Sequence, residues 1–431
     1  MRGYAVTLLC LTRAAPIPAG NGREAHREDK LTITSTQANR LVALIGIAVG
    51  AIILGACSSR ASPSSRSLEV SATTSSSTPA GSEITSVAGQ NKYKPVLTGL
   101  IDMGIQTSYG QDQPFPTVNI SEITPYVGDF SGIVVNENWS QLETSQGVYA
   151  WGDLDESLAA VTQFNQAHPN GQVYVKLRIF GGNGAPDWAK NLGGSPISEV
   201  LKQQTRTYGR WWTPAYRAAW NTFQHAMAAR YDSNPLIRAV SVGSCASSTG
   251  EPFVLNPGKA ALTAIESAGW TVAAQESCLE GAISDYSGWK TTPIEFAFNP
   301  FENVVGTKLQ VDQNFTSQIM EQCIGSGASG GPECIPGNNA LSDATLLSRV
   351  ASIYDEIDTL WQESPGSFQT YFQTVGAPVD CQAISLGISH HATAIELWPP
   401  DGRLQGYSAI PSSTLAQWNE ALKSGSQLTC S

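Results

Sequence analysis

The segment Asn138–Leu158, NWSQLETSQGVYAWGDLDESL, and the later segment Leu177–Ala189, LRIFGGNGAPDWA, decide how the rest of the chain is read. The first is a strand end, a turn and the start of a long helix. The strand is the apolar run Gly132–Asn136 just upstream. The helix spans Asp153–Phe164, where Leu154, Leu158, Val161 and Phe164 are spaced to line one face. The second segment ends another apolar run, Gln172–Phe180, with glycines and an aromatic. Strand, turn and amphipathic helix repeated in this way describe βα units, whose parallel strands need covering helices.

The same alternation extends in both directions. Further strands are expected at Val96–Met103, Ile237–Gly243, Pro293–Phe298, Cys334–Asn338, Ser367–Thr374 and Ala392–Trp398. Helices are expected at Pro214–Tyr231, Thr271–Asp285, Ala344–Trp361, Pro378–Ser389 and Ser413–Lys423, with a Gly/Ser-rich loop before Cys334. Eight strands with mostly intervening helices make an α/β protein of the (β/α)8 barrel class, a TIM barrel. One such barrel takes about 250 to 400 residues, and residues 93–431 supply one as a single domain.

Composition bounds the function. The 431 residues carry a net charge of −11, with 14% charged and 41% hydrophobic residues, as a globular chain does. The folded part has no basic run, which argues against nucleic acid as a partner. Residues 1–57 are a separate region. Arg40 precedes the apolar run Leu41–Ala56, too short for a comfortable membrane span and closer to a signal segment. Its end, Leu54-Gly55-Ala56-Cys57, resembles a bacterial lipobox. That resemblance implies cleavage before Cys57, lipidation of its thiol, export, and anchoring to the outer face of the membrane at the cell envelope. An ordinary single-pass anchor is the alternative. Residues 58–92 are rich in Ser, Thr, Ala and Pro and read as a flexible linker.

The two opening segments resemble the second and third βα units of clan A, β-galactosidase-like glycoside hydrolases. The resemblance implies an active site at the carboxyl ends of the strands and catalysis by carboxylates on a polysaccharide or oligosaccharide. It places the acid/base glutamate just after the fourth strand, where Glu251 stands in SSTGEPF, although Gly250 replaces the asparagine usual before it. It places the nucleophile on the penultimate strand. The second candidate, Glu396 in TAIELWP, falls on the last strand in the order read here. An acid bracketed by Ile395 and Leu397 needs a partner, because burying an unpaired carboxylate is costly. That partner is either a substrate or an arginine such as Arg178.

The remaining site candidates are expected to bind substrate: Asp102, Glu137, Asn138, Trp139, Arg178, Asp187, Trp188, Glu302 and Trp398. The acids end strands, and the indoles, with Trp211 and Trp212, can stack on the apolar faces of sugar rings. Glu143 and Asp155 belong to the turn and helix start, and a structural role is expected of them. No cofactor is expected, since the chain lacks a P-loop and a GxGxxG fingerprint. No metal site is expected either: there is no CxxC pair, and adjacent residues such as His390 and His391 seldom reach one ion. Six cysteines, Cys245, Cys278, Cys323, Cys334, Cys381 and Cys430, suit disulfides in an exported domain. They admit 15 pairings; the barrel order favours Cys245–Cys278, Cys323–Cys334 and Cys381–Cys430. The rival to an enzyme is a lipoprotein that keeps the barrel and binds glycan without cleaving it.

Overall fold

The computed structural model describes residues 92–104, 114–201, 204–254, 258–300, 302–305, 308–342, 350–375, 379–399 and 406–430. Cys57, the apolar run before it and nearly all of the linker lie outside the described residues, as does the first part of the expected helix Ala344–Trp361.

Eight parallel strands close on themselves: β1 (Gly99–Asp102), β2 (Gly132–Asn138), β3 (Tyr174–Phe180), β4 (Ile237–Ser241), β5 (Ile294–Ala297), β6 (Cys334–Leu341), β7 (Thr370–Thr374) and β8 (Ala392–Leu397). Neighbours in sequence are neighbours in the ring, and β8 pairs with β1 from Gly99↔Ala394 to Asp102↔Leu397. The fold is therefore a (β/α)8 barrel on its strand order alone. Its covering helices are α1 (Gly152–Ala167), α2 (Pro214–Tyr231), α3 (Lys259–Ser267), α4 (Val272–Ala282), α5 (Gln313–Ser326), α6 (Ala351–Glu363), α7 (Cys381–Ser389) and α8 (Ser412–Ser424).

Strand alternation sorts the side chains into two cores. Leu100, Ile133, Val135, Val175, Leu177, Ile179, Phe296, Phe372 and Ile395 pack outward against the helices. Ile101, Val134, Ala239, Ala297, Ile335, Tyr371 and Ala394 fill the lumen. Helix α2 shows how the outer layer forms. Pro214 sits at its first turn, where a missing N–H costs nothing, and Trp220, Phe223 and Met227 repeat at helical spacing on the buried face. The ring is sealed by Asn419 of α8. Its Oδ1 accepts from Leu100 N at 2.8 Å and Ser131 Oγ at 3.0 Å, and its Nδ2 donates to Gly128 O at 3.1 Å.

Two helices had no counterpart in the sequence reading. The buried face of α5 is Thr316, Ile319, Met320, Cys323 and Ser326. Its spacing is helical, but three of the five are small or polar, so an apolar count passes over it. The short helix α3 buries only Ala261, Leu262 and Ile265.

Three disulfides join Cys245 to Cys278, Cys323 to Cys334 and Cys381 to Cys430. The last closes a separation of 49 residues and ties the start of α7 to the chain's end. Loop closure of that length is worth about 4 kcal/mol in the chain-entropy account. The double variant Cys381→Ser/Cys430→Ser is expected to lose 2–4 kcal/mol of stability (about that magnitude by urea unfolding) without changing the barrel's far-ultraviolet circular dichroism at 25 °C.

Candidate active site

The barrel's interior charge cluster starts on β3. The strand reads Tyr174-Val-Lys-Leu-Arg-Ile-Phe180, and the parity that sends Val175, Leu177 and Ile179 outward sends Lys176 and Arg178 inward. Both cations are about 1% exposed. Buried charges require partners, and three acids supply them. Lys176 Nζ pairs with Glu295 of β5 and with Glu396 of β8, and lies 4.0 Å from the Tyr371 ring centre on β7. Arg178 Nε meets Glu251 at 2.7 Å, and its Nη2 pairs with Glu396 and donates to Gln373 Oε1 at 3.2 Å. Glu251 and Glu396 thus converge on one guanidinium, each almost wholly buried.

The two acids are tuned in opposite directions. Burial raises the Glu251 carboxyl above the ordinary glutamate range, and Arg178 only partly offsets it. Burial also acts on Glu396, but Arg178 and Lys176 together outweigh it and hold that carboxylate below the ordinary range. Burial likewise raises Glu295. Three carboxyls against two cations cannot all ionise cheaply in a closed barrel, so the opposed shifts are physically consistent.

Glu251 is held by a braced loop. Cys245 takes a left-handed backbone, φ 61°, that favours glycine; the disulfide to Cys278 on α4 pins it. Gln275 donates to Cys245 O at 3.0 Å and accepts from the Trp211 and Trp270 indoles at 2.8 and 3.1 Å. Asn183 N donates to Ser247 O at 2.8 Å, linking this loop to the glycine-rich turn after β3. A Cβ at Gly182 would collide with Ser247 O, so that turn must be glycine to approach so closely. Gly250 has a similar cause. A Cβ there would lie 2.5 Å from Arg178 Cγ and 2.9 Å from Cδ, so the arginine stem occupies the room an asparagine needs.

Glu396 is on the last strand. Its register partner on the penultimate strand is Gln373, an uncharged amide. Arg178, expected to bind substrate or to partner Glu396, bridges the two candidate catalytic acids. Lys176, Glu295, Tyr371 and Gln373 were not singled out from sequence. Lys176 and Arg178 alternate with Val175, Leu177 and Ile179, and Glu295 is bracketed by Ile294 and Phe296 as Glu396 is by Ile395 and Leu397. The same signal was therefore present at Lys176 and Glu295, and no charge marks Tyr371 or Gln373.

Several expected substrate contacts lie elsewhere. Glu137 shares the outward parity of Ile133 and Val135 and is fully buried between β2 and the helices, not in the lumen. Neither of its oxygens has a hydrogen-bond partner among the described residues. Burial, and then the like charge of Asp153 at the start of α1, push its carboxyl up to about 8. Asp102 also points outward. Tyr407 donates to its Oδ1 at 2.6 Å and Gly104 N at 3.2 Å, while burial lifts it to about 6. Trp139 is a core residue, unexposed, edge-on to Trp188, Tyr216 and Trp220 at 5.2–5.7 Å, with its indole N–H on Glu143 at 2.7 Å.

The others are scattered. Asn138 caps the short helix Trp139–Leu142 with Gln141 as its reciprocal partner. Asp187 is exposed at the start of a four-residue helix, and Trp188 is half-buried beside Trp139. Trp398 is half-buried just past β8, and its backbone N–H donates to Thr374 Oγ1 at 2.9 Å. Glu302 opens a small two-stranded ribbon, and its side chain lies outside the described residues. Glu143 accepts from Gly147 N at 2.7 Å, and Asp155 pairs with Arg230 at 2.5 Å, both bracing the turn and helix. His390 and His391 flank Asp358 at 3.0 and 3.5 Å, on the α7–β8 connection.

Glu137 yields a pH prediction. Its folded pKa lies above the glutamate value of 4.5, so the folded state holds the proton more tightly. The associated stability is complete below 4.5 and is lost as pH rises through about 8. Glu137→Gln, neutral at every pH, is expected to match wild type near pH 4 and to unfold at higher denaturant above pH 8. Equal wild-type and variant midpoints at both pH values would contradict this placement of the group.

No family model matches the chain, and no curated protein does. Among solved structures it is similar to endo-glycoceramidase II from Rhodococcus sp., at 14% identity over 75% of this chain and 80% of that one, with a TM-score of 0.48. It is also similar to an endogalactoceramidase, at 13% identity over 77% and 74% with a TM-score of 0.42. A third is the β-galactosidase from Bacillus circulans sp. alkalophilus, at 10% identity over 77% and 56% with a TM-score of 0.45.

Proposed function

We propose that the chain is a glycoside hydrolase that cleaves O-glycosidic bonds of a polysaccharide or oligosaccharide with Glu251 and Glu396. One observation carries this reading: a carboxyl from the loop after β4 and one from β8 meet on one guanidinium, and their surroundings push their proton affinities apart. Such a pair divides into a proton donor and an anion. Glycoside hydrolysis needs both, because an alkoxide leaves poorly and the transition state resembles an oxocarbenium ion. Glu251, whose carboxyl burial raises above the ordinary glutamate range, gives its proton to the departing oxygen. Glu396 stays ionised and faces the positive charge that develops on the sugar. Arg178 sets the spacing of the two. Lipidation at Cys57, export and a membrane-anchored position on the cell envelope complete the proposal, with the substrate found outside the cytoplasm.

Gln373 favours a second reading. An amide at the register partner of Glu396 on the penultimate strand, and cations on both oxygens of Glu396, suit a barrel that binds glycan without cleaving it. A reducing-sugar release screen over envelope polysaccharides, run beside a glycan-binding assay on the same panel, separates the two. Release by wild type, abolished in Glu251→Gln and Glu396→Gln, supports the hydrolase. Binding without release supports the binder, and neither result on any glycan defeats both.

A further inference from the structure

Lys176 is deeper in the barrel than the two candidate catalytic acids require, and nothing in the reaction described above uses it. Its ammonium is fixed from three sides. Glu295 holds it from β5, Glu396 from β8, and the Tyr371 ring lies 4.0 Å away on β7. Glu396 then has a cation on each oxygen: Lys176 on Oε1 and Arg178 on Oε2. Arg178 is shared with Glu251 and Gln373, whereas among the described residues the other acid paired with Lys176 is Glu295.

Building on the glycosidase reading, we propose that Lys176 is a positioning residue for Glu396: anchored by Glu295, it fixes one carboxylate oxygen and keeps the group ionised while Arg178 divides its charge between both acids.

Among the described residues, the charged and titratable groups facing Glu396 are Lys176 and Arg178 from β3, Glu251 from the loop after β4, Glu295 from β5 and Tyr371 from β7. Its β1 register partner, Ile101, is apolar, and Gln373 and Thr374 of β7 add only neutral polar groups. Removing Lys176 withdraws one of two cations, so Glu396 must become harder to ionise. Removing Glu295 does something different. Burial raises Glu295 above the ordinary glutamate range while Glu396 is held below it, so Glu295 takes up its proton first as pH falls and neutralising it leaves the Glu396 midpoint in place.

The test uses the full chain with 13C-carboxyl-labelled glutamate, the Glu396 resonance being the one lost in Glu396→Gln. In Lys176→Met, its titration midpoint is expected to rise by about one pH unit or more, the scale of an opposite charge within contact distance. In Glu295→Gln, it is expected to stay where it is. Lys176→Met leaves Glu295 without its cation and risks misfolding. The double variant Lys176→Met/Glu295→Gln removes one acid with the cation and is expected to fold and to show the same rise. A Glu396 midpoint unmoved in both lysine variants overturns the proposal, as does an equal rise in Glu295→Gln alone. If wild type releases sugar, the acid limb of its rate profile must move with the resonance. If it releases none, the titration still decides the role of Lys176 while the hydrolase reading fails separately.

Discussion

Arg178→Met is expected to destabilise the protein by about 3–5 kcal/mol at neutral pH, the cost of stripping a buried pair of its counter-charge. The guanidinium is 1% exposed and serves Glu251, Glu396 and Gln373 at once. Methionine fills much of the volume, so the loss is one of charge rather than packing. Two carboxyls then remain in a closed barrel with only Lys176, which Glu295 already shares. The pH dependence gives the sign. Wild-type Glu396 has a folded pKa below its usual value, so its stabilisation is present above the unfolded pKa and is lost as pH falls through the folded one. Without Arg178 the folded pKa values of both acids rise, and the variant regains stability relative to wild type as pH drops and they accept protons. Urea unfolding at pH 7.5 and pH 4 checks this: the gap between variant and wild type must be larger at 7.5. An equal gap at both pH values would assign the loss to packing.

The second large effect is on rate. Glu251→Gln is expected to lower sugar release by about 10²–10⁴-fold, the range for removing a general acid, while stability at neutral pH is kept or increased. The amide occupies nearly the same space and carries no ionisation that burial opposes. Wild type should show a bell-shaped pH profile, its alkaline limb set by Glu251 above the ordinary glutamate range and its acid limb by Glu396 below it. The residual activity of the variant should lack the alkaline limb. A variant that keeps full rate, or one that loses rate only because it unfolds, would remove Glu251 from the role of donor. Circular dichroism and unfolding on the same preparation tell these apart.

These outcomes depend on features legible to different degrees in the chain. Most barrel strands were readable because a buried parallel strand is a short apolar run bounded by turn residues, and that signal is local; β6, CIPGNNAL, carries little of it and was legible only from its place behind the Gly/Ser-rich loop. Helix α2 was readable from its first residue to its last, since Pro214 opens it and its aromatics recur at helical spacing. Helix α5 was not, because Thr316, Cys323 and Ser326 are buried without looking apolar. The acids of the lumen were half readable. Glu396 stood out between Ile395 and Leu397, and the same bracketing at Glu295 and the alternation at Lys176 went unused.

The order and length of the βα units, and with them a barrel whose strand ends carry acids, are written along the chain. Those properties follow from periodicity, which each segment holds within itself. Which side of the wall a strand-end side chain takes was settled by tertiary structure. Glu137 and Asp102 face the helices because their strands' alternation is counted from the residues that pack there, and Trp139 is enclosed by α2 rather than open to a cleft. Likewise, only closure of the ring brings Arg178 of β3 against Glu396 of β8, 218 residues away. No local pattern encodes that meeting, yet it sets the charge of both acids.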